Sequence, residues 1–126
     1  MSITRAQAEA EIVKRQGARM ELVGFAVTVV GTNADLESPF ATSLRKLGLT
    51  ASSPVSDSDL TALDADGLVD EFIDRAELRL LQNIKGNLTM VDISAGSRRE
   101  SLGQLSEQIK DDIAGLRARI EEDYGT

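Results

Sequence analysis

Small and apolar residues recur every three or four positions from Ser2 to about Val23, at Ile3, Ala6, Ala10, Val13, Gly17 and Met20, and this spacing predicts a first helix. Its face is lean. Ala6, Ala10 and Gly17 bury little apolar area, but they let a neighbouring backbone come close, which suits helix-on-helix contact. Gly24 stops the pattern, and the β-branched run from Phe25 to Val30 that follows suits a strand or an extended segment until Gly31 ends it. Ser38 and Pro39 then read as the N-cap and first position of a second helix over residues 39–47, with Phe40, Leu44 and Leu47 as its apolar row. Lys46 and Gly48 supply a basic last turn and a C-terminal cap.

The serine-rich stretch from Thr50 to Asp59 predicts a mobile loop near 50–60. A third helix, capped by Asp64 or Asp66, carries Leu68, Phe72, Ala76, Leu80 and Ile84 in one row, widened by Val69, Ile73 and Leu81 and closed by Gly86. Its opposite face bears Asp66, Asp70, Asp74 and Glu77, an acidic row expected to be solvated or to meet a basic partner, with Glu71 placed to pair with Arg75. Leu88 to Ile93 reads as a second short extended run that can lie beside Phe25 to Val30. Ser97-Arg98-Arg99-Glu100 has the form of a capping box and opens a fourth helix. In that helix Leu102, Leu105, Ile109, Ile113, Leu116 and Ile120 form a narrow seam, to be packed within the fold or against a neighbouring subunit. The expected fold is mainly α: a small helical bundle of about four helices with one or two short extended segments, in one domain over residues 1–126 with a short C-terminal tail near 121–126.

Composition narrows the chemistry. With 126 residues the chain fits one domain, and 41% hydrophobic with 28% charged residues is ordinary globular usage. No Cys and no His are present, which removes disulfides, thiolate zinc sites, histidine bases and the Ser-His-Asp triad. The longest apolar run, Leu22 to Val30, is interrupted by Gly24 and Thr28 and is far shorter than the roughly 20 residues a membrane helix needs, so no membrane partner is expected. Residues 1–14 lack a signal peptide's apolar stretch, which predicts a protein retained in the cell that makes it. The net charge of −7 argues against a tight grip on nucleic acid phosphates. That charge is regional: residues 1–50 hold 6 basic and 5 acidic side chains, residues 51–126 hold 8 and 16.

Individual motifs point to interaction more than to catalysis. Asp64-Ala65-Asp66-Gly67 resembles the middle of a calcium loop, but the register puts Ala62 and Ile73 where oxygen ligands are required, and helix capping explains it better. Asp70 with Asp74, and Glu107 with Asp111, stand one helical turn apart as acid–base pairs would, without a phosphate cradle or further site residue around them, and solvated helix faces account for them. Asn87-Leu88-Thr89 is a chance glycosylation match. Arg98 and Arg99 are candidates to meet a phosphate or an acidic protein surface, or simply solvated arginines. Phe25, Phe40 and Phe72 read as core anchors, and Tyr124 as a docking anchor in a tail or the frayed end of one. No metal, cofactor or catalytic residue is assigned.

The order of segments carries a further signal. An alanine-rich first helix leads to Thr32-Asn33-Ala34-Asp35-Leu36-Glu37-Ser38-Pro39 and then Ala41-x-x-Leu44-Arg45-x-Leu47-Gly48; a second block is Asp74-Arg75-Ala76-Glu77-Leu78-Arg79-Leu80-Leu81, followed by Val91-Asp92 and the long terminal helix. Together these resemble the small head–tail connector, or adaptor, proteins of long-tailed bacteriophages. The resemblance spans most of the chain as short segments, with no catalytic motif. It implies a structural virion protein, made in the host cytoplasm, that forms a homo-oligomeric ring, commonly of twelve copies, at the head–tail interface. It implies contacts with the portal protein above, with ring neighbours, and with a downstream connector or tail-terminator protein below, while DNA passes through the central channel without specific binding. The acidic half of the chain suits a channel wall that repels DNA. For assembly the candidates are the lean face of helix one, the Phe25 to Val30 run with Phe25, Val27 and Val29 as interface residues, Arg98 and Arg99, and the end of the chain with Tyr124. Deleting residues 121–126 is expected to abolish portal binding without unfolding the domain. Only about four residues follow the expected end of helix four, where connector proteins often extend a tail toward the portal. A second class of reading is an intracellular helical module that dimerises through the C-terminal helix and binds a basic protein; a third is a small acid–base enzyme using Asp70 and Asp74.

Overall fold

The computed structural model describes residues 3–65, 67–95 and 99–125, with side chains left out at residues 65, 89–95 and 99–102. Five helices appear among these residues: α1 (Arg5–Leu22), α2 (Glu37–Lys46), α3 (Asp57–Ala65), α4 (Val69–Ala95) and α5 (Arg99–Tyr124). No strand appears among them, so the chain is a small helical bundle, and α4 is its axis, packed against all four other helices. Phe40 of α2 and Phe72 of α4 stack with ring centroids 5.5 Å apart, and Ser43 Oγ donates to the Phe72 carbonyl at 2.7 Å beside them. None of the described helices is long and apolar enough to cross a membrane.

The first helix begins at a capping box that the apolar pattern alone does not reveal. Thr4 Oγ accepts from the Gln7 backbone N–H, and Gln7 Oε1 accepts from that of Thr4, so two otherwise unpaired donors satisfy each other's segment. A third free donor, the Arg5 N–H, is taken by Asp57 Oδ1 at 2.7 Å, so the first residue of α3 closes the start of α1. The core-facing side of α1 also differs from the expected lean face. Ala8, Ile12 and Met20 are fully buried together with Arg5 and Glu9, while Ala10 is exposed. Because two charged residues occupy the buried stripe, a reading by hydrophobicity rotates the helix. At Gly17 an added Cβ would meet only Val13 of the same helix, so among the described residues no neighbouring backbone uses the gap there.

Helix ends follow the glycines in three places. After α1, Gly24 at φ +82° donates to the Glu21 carbonyl and Phe25 donates to that of Met20. This is the paired bonding that lets a left-handed residue close a helix. The same arrangement ends α2 at Gly48 and α3 at Gly67. Gly67 is therefore the end of α3, not part of the start of the next helix, and Asp64 lies inside α3, so four expected helices become five. Ser38 and Pro39 also move: α2 begins at Glu37 behind a 3-10 turn over Ala34–Leu36, whose cap is Asn33. Pro39 is tolerated there because the first turn of a helix has no carbonyl for its missing N–H.

Gly86 does not close its helix. Ile84 and Leu88, one turn apart, are both buried, and their packing outweighs the roughly 1 kcal/mol that an internal glycine costs relative to alanine. α4 thus runs on through residues 88–93, and the expected pairing of that stretch with Phe25 to Val30 does not occur. On α5 the seam is used inside the chain: Ile109, Leu116 and Ile120 are buried, with Leu105 and Ile113 half-buried against the core. The expected capping box at Ser97, with Arg98, lies outside the described residues, as does the side chain of Arg99.

Segment 50–60, read as a mobile loop, is tied at several points. Val55 is buried, its N–H donates to both Glu37 carboxylate oxygens, and Asp59 accepts from the backbone and hydroxyl groups of Ser52 and Ser56. Burial raises the Asp59 pKa, but these four donors outweigh it and hold the carboxyl below its ordinary value.

Candidate interaction surfaces

Three places in the bundle concentrate polar or charged side chains near the surface. The first is the connection between α1 and the 3-10 turn, which has no regular structure yet is held by side chains. Asn33 Nδ2 donates to the carbonyls of Ala26 and Thr28 at 2.8 and 3.0 Å, and Asp35 accepts from the Ala26 N–H. From below, Glu9 accepts from the N–H groups of Gly31 and Asn33 at 2.6 and 2.9 Å. Glu9 is in turn bonded to Arg5, which is only 2% exposed and spends its guanidinium on Glu9, Glu37 and the carbonyls of Val55 and Asn33, over the ring of Phe40. A buried charge needs such saturation, since an unpaired one is strongly disfavoured. The result is a stiff loop. Phe25 and Val27 are half-buried against the core, whereas Val29 and Val30 are 41% and 74% exposed and are the large hydrophobic residues that stand out from the surface among the described residues.

The second place is the acidic row of α4, which divides between the two expected outcomes: Asp70 is exposed, Asp74 and Glu77 meet a basic partner, and Asp66 lies outside the described residues. Asp74 and Glu77 are 8% and 9% exposed and both accept from Arg15 Nη1 at 3.0 Å, while Gln16 adds a bond to Glu77. Arg119 and the Tyr124 hydroxyl of α5 also reach Asp74, at 3.3 and 2.8 Å. The basic partner of the row is thus internal, supplied by α1 and α5. Burial alone would lower the Arg15 pKa, yet the hydrogen bonds to Asp74, Glu77 and Glu11 reverse that and raise it. The Tyr124 hydroxyl is pushed up to about 12 by burial and by the Asp74 carboxylate it bonds. Tyr124 is consequently the last residue of α5 and part of its packing; α5 continues through the expected tail, so deleting 121–126 removes a folded contact. Glu71 and Arg75 pair as expected, at 2.7 Å.

The third place is a cleft of about 450 Å³ between α2, α4 and α5. Lys46, Arg75, Arg79 and Arg117 line it, against one carboxylate, Glu121. Arg75 is answered by Glu71; the other three cations are exposed and make no ion pair among the described residues. Sequence reading missed this cleft because its cations come from three helices. The one local clue is Arg75 and Arg79, a turn apart on α4.

The residues singled out in advance do not assemble into one site. Phe25, Val27 and Val29 share the first loop, Tyr124 lies on α5 with its hydroxyl committed to Asp74, and Arg98 and the Arg99 side chain are outside the described residues. As for acid–base chemistry, Asp74 is engaged by three donors and Asp70 is exposed. No group of three or more metal-ligating side chains occurs among the described residues. Comparison with family models, curated proteins and solved structures finds no match.

Proposed function

We propose that this protein is a structural docking module, a head–tail connector of the kind its segments resemble, forming a homo-oligomeric ring between a phage portal and the next connector or tail protein. The observation that carries the reading is the stiff loop that presents Val29 and Val30: an apolar tip without a core partner, backed by the buried Arg5–Glu9–Asn33 bonds. Two neighbouring valines held out from the surface by a bonded loop can be covered by a partner with little ordering cost. The exposed carboxylates of Asp70, Glu107, Asp111, Glu122 and Asp123 would give a channel wall that lets DNA slide. The alternative, a dimer through the C-terminal helix, has less support because the α5 seam is already covered by α4.

The test is negative-stain microscopy with mass photometry on the protein alone and mixed with a phage portal protein. Portal-dependent rings are expected, and Val30→Asp should abolish them while the far-ultraviolet circular dichroism stays unchanged. A compact monomer or dimer indifferent to portal overturns the proposal.

A further inference from the structure

We infer that the basic cleft between α2, α4 and α5 is a docking site for a short acidic segment of a partner protein, whose carboxylates pair with Arg79, Arg117 and Lys46. The inference rests on the docking reading above and names the chemistry of one partner.

Charge is the first argument. In a chain of net charge −7, four cations converge on one cleft with a single carboxylate at its edge. Three of the four have no ion partner among the described residues; Lys14, Arg45, Lys85 and Lys110 are likewise without one, but only Lys46, Arg79 and Arg117 of these line a common cleft. Arg79 of α4 and Arg117 of α5 both line the cleft, and neither makes an ion pair within the fold among the described residues. Both guanidiniums offer the planar fork that a carboxylate accepts in two parallel bonds.

Shape and lining favour a peptide over a polyphosphate. Leu78 and the buried Ile120 give apolar surface for side-chain stems, and Gln82 offers donor and acceptor groups to a peptide backbone. Glu121 sits in the lining, and the exposed Glu122 and Asp123 follow it on the same helix end. These carboxylates and the net charge repel a nucleic acid strand at a distance, while a segment with a few carboxylates experiences far less of that repulsion. The backbone of two of the walls is fixed by the Phe40–Phe72 stack and the Ser43 bond between α2 and α4, and the third wall is α5 packed along α4.

The probe is a fluorescein-labelled Glu-Glu-Leu-Glu-Glu-Leu peptide, titrated with the full chain and followed by anisotropy at low salt. Saturable binding is expected that falls about tenfold or more in an Arg79→Ala, Arg117→Ala double variant and weakens as salt rises. A Lys14→Ala, Lys110→Ala variant, with the same charge change at exposed positions outside the cleft lining, should bind as the parent does. Equal loss in that control overturns the inference, as does the absence of saturable binding. Tighter binding of a single-stranded oligonucleotide through the same arginines also overturns it, in favour of nucleic acid. Rings on the portal without peptide binding reject the cleft and leave the connector reading; peptide binding without rings rejects the connector and leaves the cleft.

Discussion

Arg5 and Arg79 are the same residue put to opposite uses. Arg5 is sealed at the junction of α1, α2 and two loops, with two carboxylates and two carbonyls on its guanidinium. Arg79 lines an open cleft with Lys46 and Arg117 and makes no ion pair among the described residues. The first site has spent four of its five N–H donors inside the fold and is buried away from any partner. The second has spent none, and its free capacity is what makes it available for recognition. Burial together with saturation, rather than residue type, separates a structural arginine from a binding one.

The sharpest way to break this comparison is to remove both charges. Arg5→Met should cost about 3–5 kcal/mol, because the fully buried Glu9 carboxylate loses its cation. Arg79→Ala should change stability by less than about 0.5 kcal/mol. Urea denaturation midpoints measure both, and comparable losses would show that the cleft arginine is structural after all.

A middle effect tests whether the Arg5 region stiffens the loop as well as the core. Asn33→Ala strips donors from the Ala26 and Thr28 carbonyls and should cost about 1–3 kcal/mol. Amide exchange at Ala26 and Gly31, whose N–H groups are bonded to Asp35 and Glu9, should speed up in this variant. Unchanged exchange would mean that Glu9 alone holds the loop.

Tyr124→Phe should lose about 1 kcal/mol near neutral pH, since its bond to Asp74 is only partly shielded from water. Its pH dependence has a defined sign. The folded hydroxyl titrates at about 12 against 10.0 for the free group, so its contribution is complete below pH 10.0 and disappears as pH rises toward 12. The stability gap between wild type and Tyr124→Phe should therefore close over that window, and a gap that widens there would contradict the bond. The smallest effect belongs to Asp59. Its carboxyl is held below the ordinary 3.8, so its contribution is present above that value and is lost as pH falls through the lower folded pKa. Asp59→Asn should flatten this acid limb of the stability curve slightly.

Periodicity made much of the fold legible. The apolar rows of α2 and α4, the α5 seam from Leu105 to Ile120 and the stops at Gly24 and Gly48 are legible because each is written in neighbouring residues. The errors share a cause. Gly86 looked like a terminus because the buried contacts of Ile84 and Leu88 are invisible locally. The buried stripe of α1 was misplaced because Arg5 and Glu9 count as polar until their partners, 22 to 50 residues away, are known. Of the candidate surface, the loop at Val29 was legible as an apolar run. The cleft was not, because Lys46, Arg79 and Arg117 are separated by most of the chain.

By itself the sequence determined the helical class, the absence of thiol and imidazole chemistry, and the acidic balance, all of which depend on residue type and short-range spacing. Only the tertiary structure decided which charges are consumed and which remain free. Asp74 and Glu77 became internal partners of Arg15, and Arg79 and Arg117 were left facing open space. The physical reason is that the worth of an ion depends on its distance from its counter-ion and on how much water lies between them. Both are set by how the helices pack.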